Sequence, residues 1–393
     1  MIWKKELLTN NLIINKMNLD KILSKLISYA TISEKSNLEL ATFIINFLKK
    51  NGVNAQKIQG EKGRFNVFCK IGPETEGGIV LSGHMDVVPV QGQKWTHNPF
   101  KMTEKNGKFF GRGSADMKGF IAVVLSLIKK IKVSKMQKPL FLIFSYDEEI
   151  GCLGIQKLVP FLKKLDPKPK FCIVGEPTEM KIVNQHKGKK NYFVEFHGIE
   201  AHSSLIDDGV NAIKFCSQFI NFLERKQMSI KKDIDLNFNP NFTTINVGKI
   251  LGGTAVNIIP NNCKLEFEVR DTPRFKNEKF INQVKEYLLR LETEMKSMNS
   301  KCFIEFNEQN NFPPLKTEED SEIISFSSKL LRTNSINSVS FGTEAGIFSQ
   351  LGFETIVCGP GSIRQAHKPD EYIELNQLQK CEDFLMKVIS KLY

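Results

Sequence analysis

Apolar positions along the first part of this chain follow two alternating rhythms. Leu19 to Ser28 and Leu38 to Lys50 space their apolar residues three and four apart, which predicts helices, the second stopped by Asn51-Gly52. Gly78 to Leu81, Leu140 to Ser145 and Phe171 to Val174 are short apolar runs of the kind that buried strands use. Phe120 to Ile131, after Gly119, predicts a buried helix. Strands alternating with helices predict an α/β fold, a mixed sheet flanked by helices. The strand runs lead into polar clusters: Ser82-Gly83-His84, Asp147-Glu148-Glu149, and Glu176. Open α/β sheets place their ligand sites just beyond the ends of such strands.

The rhythm changes near Gly188. Asn191 to His197, Thr243 to Ile250 and Lys264 to Arg270 alternate with period two, and in the last of these Leu265, Phe267 and Val269 share one face. Asn211 to Glu224 and Lys276 to Met295 have helical spacing. This block reads as a smaller α+β domain, residues 189–303, inserted into a larger one made of 17–188 and 304–393. The α/β pattern resumes through Ser338 to Phe341 and Thr355 to Cys358 and ends in a helix over Leu375 to Leu392. Residues 1–16 read as an N-terminal extension, with Met17 a second possible start.

Composition narrows the class. At 393 residues two domains are the default. Hydrophobic residues make up 41% and charged residues 25%, the balance of a soluble globular chain, and no apolar run approaches a membrane span. The first residues lack a signal-peptide pattern. A net charge of +12 fits either a nucleic-acid binder or a lysine-rich surface. Lysines spread as isolated pairs, with no nucleic-acid motif, favour the surface reading and at most a pull on anionic substrates. The eight cysteines contain no C-x-x-C pair, which predicts free buried thiols and a cytoplasmic home.

Candidate chemistry lies in four segments in order. They are Gly83-His84-Met85-Asp86, Gly113-Ser114-Ala115-Asp116-Met117, Asp147-Glu148-Glu149 with Gly175-Glu176-Pro177, and Gln365-Ala366-His367-Lys368-Pro369. Histidines and carboxylates in this mixture suit paired zinc-like ions. Taken singly, each segment has a bland reading: a structural histidine at His84, solvated charges at Glu148 and Glu149, a surface histidine in the loop around His367. Adjacent carboxylates repel unless a cation neutralises them. Gly111-x-Gly113 lacks the third glycine of a dinucleotide loop, and no G-x-S-x-G elbow supports a serine hydrolase.

Taken together and in this order, the segments resemble the zinc-dependent family that holds acetylornithine deacetylase, succinyl-diaminopimelate desuccinylase, carboxypeptidase G and aminoacylase. The resemblance runs from about residue 18 to the C-terminus. It implies two divalent ions, zinc or alternatively cobalt, with His84 and Glu176 on one, Glu149 and His367 on the other, and Asp116 bridging. It implies Asp86 supporting His84, Glu148 as general base, and a cis peptide after Asp116. The insert resembles the family's dimerisation lid, which implies a homodimer. Within it Gly198 to Ser204 matches the segment whose histidine, here His202, stabilises the oxyanion, usually in the partner's site. Asn257 and Arg270 match the binders of the substrate carboxylate. Phe341-Gly342-Thr343-Glu344-Ala345-Gly346 and the run from Cys358 through Tyr372 favour the acetylornithine deacetylase branch over the desuccinylases. The expected substrate is a small N-acyl amino acid, with Glu344 a candidate for recognising a cationic side chain or else a structural loop acid. A dipeptidase, a desuccinylase or another acylase is the alternative. A non-catalytic relative fits poorly, because every ligand position and the base are filled.

Overall fold

The computed structural model describes residues 19–393, and the expected extension 1–16 lies outside the described residues. The chain forms two compact units. The first takes the described chain up to Gln185, with Leu315–Asn337 and Thr343–Tyr393. The second takes His186–Pro314 with Ser338–Gly342.

The first unit is organised by a large mixed sheet. Its centre is parallel, with neighbours in the order Leu140–Ser145, Gly78–His84, Pro169–Pro177, Glu354–Gly359. Leu140–Ser145 and Gly78–His84 are buried at every position, which explains why their sequences run apolar rather than alternating. Antiparallel strands flank this centre: Phe65–Ile71 and Ala55–Gln59 on one side, Ile182–His186 on the other. Helix Gly119–Leu127 has almost no polar face and is buried along its length. Leu38–Lys50 and Leu375–Ser390 are amphipathic and bury one stripe each, the latter through Leu378, Cys381, Leu385 and Val388. The α/β class expected from the chain is the fold observed. All eight cysteines are free and buried. Among the described residues no helix is long and apolar enough to cross a membrane.

The second unit carries a four-stranded antiparallel sheet in the order Thr244–Gly252, Asn262–Arg270, Lys189–His197, Phe303–Phe312. One face, with Tyr192, Val194, Phe196, Leu265, Phe267 and Val269, packs on helices Ala212–Ile230 and Asn277–Met298 through Phe215, Phe219, Leu223, Val284 and Leu288. Asn211 caps the first of these helices by accepting from the Lys214 N–H at 3.0 Å. Phe303–Phe312 pairs with Lys189–His197 along its length, so this compact unit runs on to Pro314 rather than ending at 303.

Close packing beneath the sheet's carboxyl edge has a checkable consequence. A Cβ on Gly175 would stand 2.1 Å from Phe120 Cγ. Overpacking of this kind costs about 1–3 kcal/mol. Gly175→Ala should therefore lower unfolding stability by that amount in urea, measured on chelator-treated protein so that folding alone is read.

Candidate metal centre

The site forms where the central parallel strands end. His84 closes the strand Gly78–His84 and pairs in register with Ser145, which leads into Asp147-Glu148-Glu149. Glu176 is the last residue but one of Pro169–Pro177. Beyond Glu354–Gly359 the chain enters the glycine- and proline-marked loop that carries His367, whose φ is +62°. Asp116 comes from the turn before helix Gly119–Leu127. That turn needs Gly113, whose φ is +81° and where a Cβ would meet Val87 Cγ1 at 2.7 Å. The Asp116–Met117 peptide is cis, as the resemblance implies.

Asp116 stands between two imidazoles. Its Oδ1 lies 3.0 Å from His84 Nε2 and its Oδ2 3.3 Å from His367 Nε2. Glu149 Oε2 is 3.0 Å from His367 Nε2, and Glu176 Oε1 is 3.8 Å from His84 Nε2. Donor atoms of His84, Asp116 and Glu149 lie within 4.8 Å of one another, as do those of His84, Glu148 and Glu176. His84 Nδ1 donates to the Asp86 main-chain carbonyl at 2.9 Å, while the Asp86 carboxylate is farther away at 3.5 Å. A carbonyl only accepts, so Nδ1 carries the proton and Nε2 is the nitrogen left to ligate.

Asp86 acts mainly on backbone. Its carboxylate accepts from the N–H of Glu148 at 3.0 Å, from the N–H of Glu149 at 3.3 Å, and from Ser33 Oγ at 2.8 Å. It thereby aims the peptide that bears both glutamates. Burial alone would raise the Asp86 carboxyl, but His84 and these donors hold it below the usual range.

At the glutamates burial outweighs such support. Burial pushes Glu148 up to about 8, opposed by His84 and reinforced by the carboxylates of Glu149 and Asp86. Burial and the neighbouring Asp116 push Glu149 up to about 7 and raise Glu176 well above the carboxylate range. His367, hydrogen-bonded to Asp116 and Glu149, is raised to about 10. This is a cluster of carboxyls largely withdrawn from water, whose ionisation bound cations would favour by relieving desolvation and mutual repulsion together. Two imidazole nitrogens facing separate oxygens of one carboxylate, each with a further carboxylate beside it, suit a pair of borderline divalent ions.

Residues 80–391 match the sequence pattern of Peptidase family M20/M25/M40. The chain belongs to that family. It is 34% identical over 379 residues, 94% of this chain and 97% of the relative, to the acetylornithine deacetylase of Buchnera aphidicola subsp. Acyrthosiphon pisum (strain Tuc7). The M20 family metallo-carboxypeptidase Sso-CP2 from Sulfolobus solfataricus shares the fold with a TM-score of 0.74 at 18% identity, over 95% of this chain and 99% of that one. YXEP from Bacillus subtilis, described as a dinuclear metal-binding peptidase of family M20, aligns with a TM-score of 0.68 at 14% identity over 96% and 98% of the two chains. As a member of this M20 family the protein is a metal-dependent hydrolase.

Of the other expected site residues of this M20 chain, His202, Asn257 and Arg270 belong to the second unit and Glu344 to the first. His202 and Asn257 are exposed neighbours in the second unit: Ala201–His202 pairs with Ile258–Ile259, and the Ser203 N–H donates to the Asn257 carbonyl at 3.0 Å. The Ser204 N–H donates to His202 Nδ1 at 3.2 Å, and Ser204 Oγ stands 2.7 Å from the same nitrogen. With Nδ1 accepting from Ser204, Nε2 is the ring nitrogen that carries a proton. Arg270 lies at the opposite end of the strand Asn262–Arg270, roughly 26 Å from Asn262 at strand rise. Its Nε is bonded to Glu268 Oε1 at 2.8 Å. Glu344, a candidate for recognising a cationic side chain or else a structural acid, is buried: Ser82 Oγ donates to Oε1 at 2.5 Å and Ser145 Oγ to Oε2 at 2.7 Å, so both oxygens face strand ends.

Several contributors to this M20 site had no assignment from the chain's pattern. Cys152 Sγ donates to Glu148 Oε1 at 3.3 Å. Ser33 holds Asp86, and Arg112 with Glu371 line the turn of Asp116. Arg112 and Glu371 sit inside the motif runs around Asp116 and His367, which is the only local signal they carry.

Because Asp86 satisfies buried main-chain donors, Asp86→Ala should destabilise even the metal-free protein. A loss of about 3 kcal/mol is expected from the stranded N–H groups, read as a lower urea midpoint with an unchanged slope.

Proposed function

We propose that this protein hydrolyses the acetyl amide of N2-acetyl-L-ornithine, giving L-ornithine and acetate, in the arginine pathway of the cytoplasm. The observation that carries the reaction type is Asp116 shared between His84 and His367, with Glu148 beside His84. The choice of substrate rests on the acetylornithine deacetylase of Buchnera, which this chain matches over nearly its full length.

His84 and Glu176 would hold one divalent ion, His367 and Glu149 the other, with Asp116 reaching both. Bound there, zinc or cobalt ions would acidify a water and polarise the acyl carbonyl. Glu148 takes one proton of the attacking water and hands it to the departing amine nitrogen as the C–N bond breaks, and the acetic acid so formed gives up its remaining proton to the freed amine, leaving acetate and the ammonium form. Cys152 and the main-chain bond to Asp86 hold Glu148 in position for both transfers. The Nε2–H of His202 donates to the tetrahedral oxyanion. Asn257 and Arg270 hold the substrate carboxylate, Arg270 by its fork of donors.

One copy of the second unit separates Arg270 from the His202–Asn257 ribbon by most of a strand's length. A substrate touched by both ends therefore draws them from two copies, which favours the homodimer, with His202 serving its partner's site.

Glu148→Gln should keep metal content while turnover falls at least a thousandfold, roughly the scale of losing an essential general base. Retained activity in that variant removes the assignment of the base. Chelator-stripped protein should regain activity with zinc or cobalt and prefer N-acetyl-ornithine over N-succinyl-diaminopimelate and dipeptides. Preference for one of those others would move the substrate and leave the site intact.

The shared site has its own test. Co-expressed Glu148→Gln and His202→Ala chains, each inactive alone, should recover roughly a quarter of wild-type activity, the share of intact sites in a random mixture of dimers. No recovery would place His202 in its own chain's site.

A further inference from the structure

Asp116 and His367 are distant in sequence, yet their donor atoms must stay in register for two cations to be shared. His367 is poorly held by packing, with its side chain 52% exposed. What holds it is a polar circuit. Glu371 Oε1 accepts from the N–H groups of Ala115 at 2.9 Å and Asp116 at 3.1 Å. Its Oε2 accepts from the Gly113 N–H at 3.0 Å and from Arg112 Nη1 at 2.8 Å. The other end of the guanidinium, Nη2, donates to Gln93 Oε1 at 2.6 Å, and Gln93 Nε2 donates to the His367 carbonyl at 2.8 Å. Arg112 lies over the Trp95 ring at 5.0 Å, and Trp95 Nε1 donates to Gln93 Oε1 at 3.1 Å.

We propose that Arg112 and Glu371 are a positioning pair that fixes the His367 segment against the Asp116 turn, setting the spacing on which the second cation depends. Both side chains are almost completely buried. A buried ion pair adds little net stability over well-packed apolar residues, so stability alone does not explain it. Its bonds end on the main chain of the two ligand-bearing segments, at Gly113, Ala115 and Asp116 and, through Gln93, at His367. Four acceptor positions on Glu371 are in use, and an amide in its place keeps the shape but loses half of them.

The proposal rests on the reading of Asp116 and His367 as ligands, and its test separates the two. Zinc is titrated into chelator-stripped protein by calorimetry. Wild type should bind two equivalents, and His367→Ala should lose most of the affinity of one; failure of either result overturns the ligand reading itself. Given those results, Glu371→Gln should weaken that same equivalent about tenfold or more, the scale for groups that orient ligands, and leave the other within about twofold. In a His367→Ala background Glu371→Gln should add nothing further. Leu385→Ala, a core change in helix Leu375–Ser390, should lower thermal stability while both zinc affinities stay unchanged. If Glu371→Gln does not fold, Gln93→Ala on the half-buried arm of the circuit gives the same reading. Unchanged zinc affinities in the folded variant, or additive losses with His367→Ala, would overturn the pair's positioning role.

Discussion

Like charges held close together out of water govern this structure. Asp116, Glu148, Glu149 and Glu176 crowd one end of a buried sheet, with His84 and His367 among them. Such a cluster is costly unless cations enter it, which makes the site's affinity for metal and its chemical use two results of one arrangement. The sheet explains why the cost falls here. Parallel strands buried on both faces bring several chain segments to one edge at the same height, and each places its first polar residues there.

Acids that do not ligate give the site its shape. Asp86 gathers the N–H groups of Glu148 and Glu149, while Glu371 gathers those of Gly113, Ala115 and Asp116. Glu344 ties hydroxyls at the ends of two neighbouring parallel strands. Each buried carboxylate converts main-chain or hydroxyl donors into a fixed frame, and the candidate ligands hang on that frame. Charge-assisted hydrogen bonds are the stronger kind, which suits them to loops that apolar packing does not reach.

The second unit is an ordinary two-layer α+β body, one sheet face covered by two helices. The residues there for which a role is proposed sit at separate ends of the sheet, His202 and Asn257 together and Arg270 apart.

Much of this was legible in the chain. Apolar runs followed at once by His84, by Glu148 and Glu149, and by Glu176 announce strand ends that carry histidine and carboxylates, because periodicity and adjacency are local properties. The alternation of Leu265, Phe267 and Val269 likewise announced a half-buried strand. Helix Leu153–Leu162, with Pro160 inside it, and strand Phe303–Phe312, rich in polar residues, were hidden because tertiary contacts stabilise them against weak local pattern. Which oxygen of Asp116 faces which histidine, that Glu344 turns inward to Ser82 and Ser145, and that Arg112 and Glu371 link the Asp116 and His367 loops are decided only by the folded chain. These contacts join residues up to 262 positions apart, and their pairing depends on strand order and register, which no local spacing encodes.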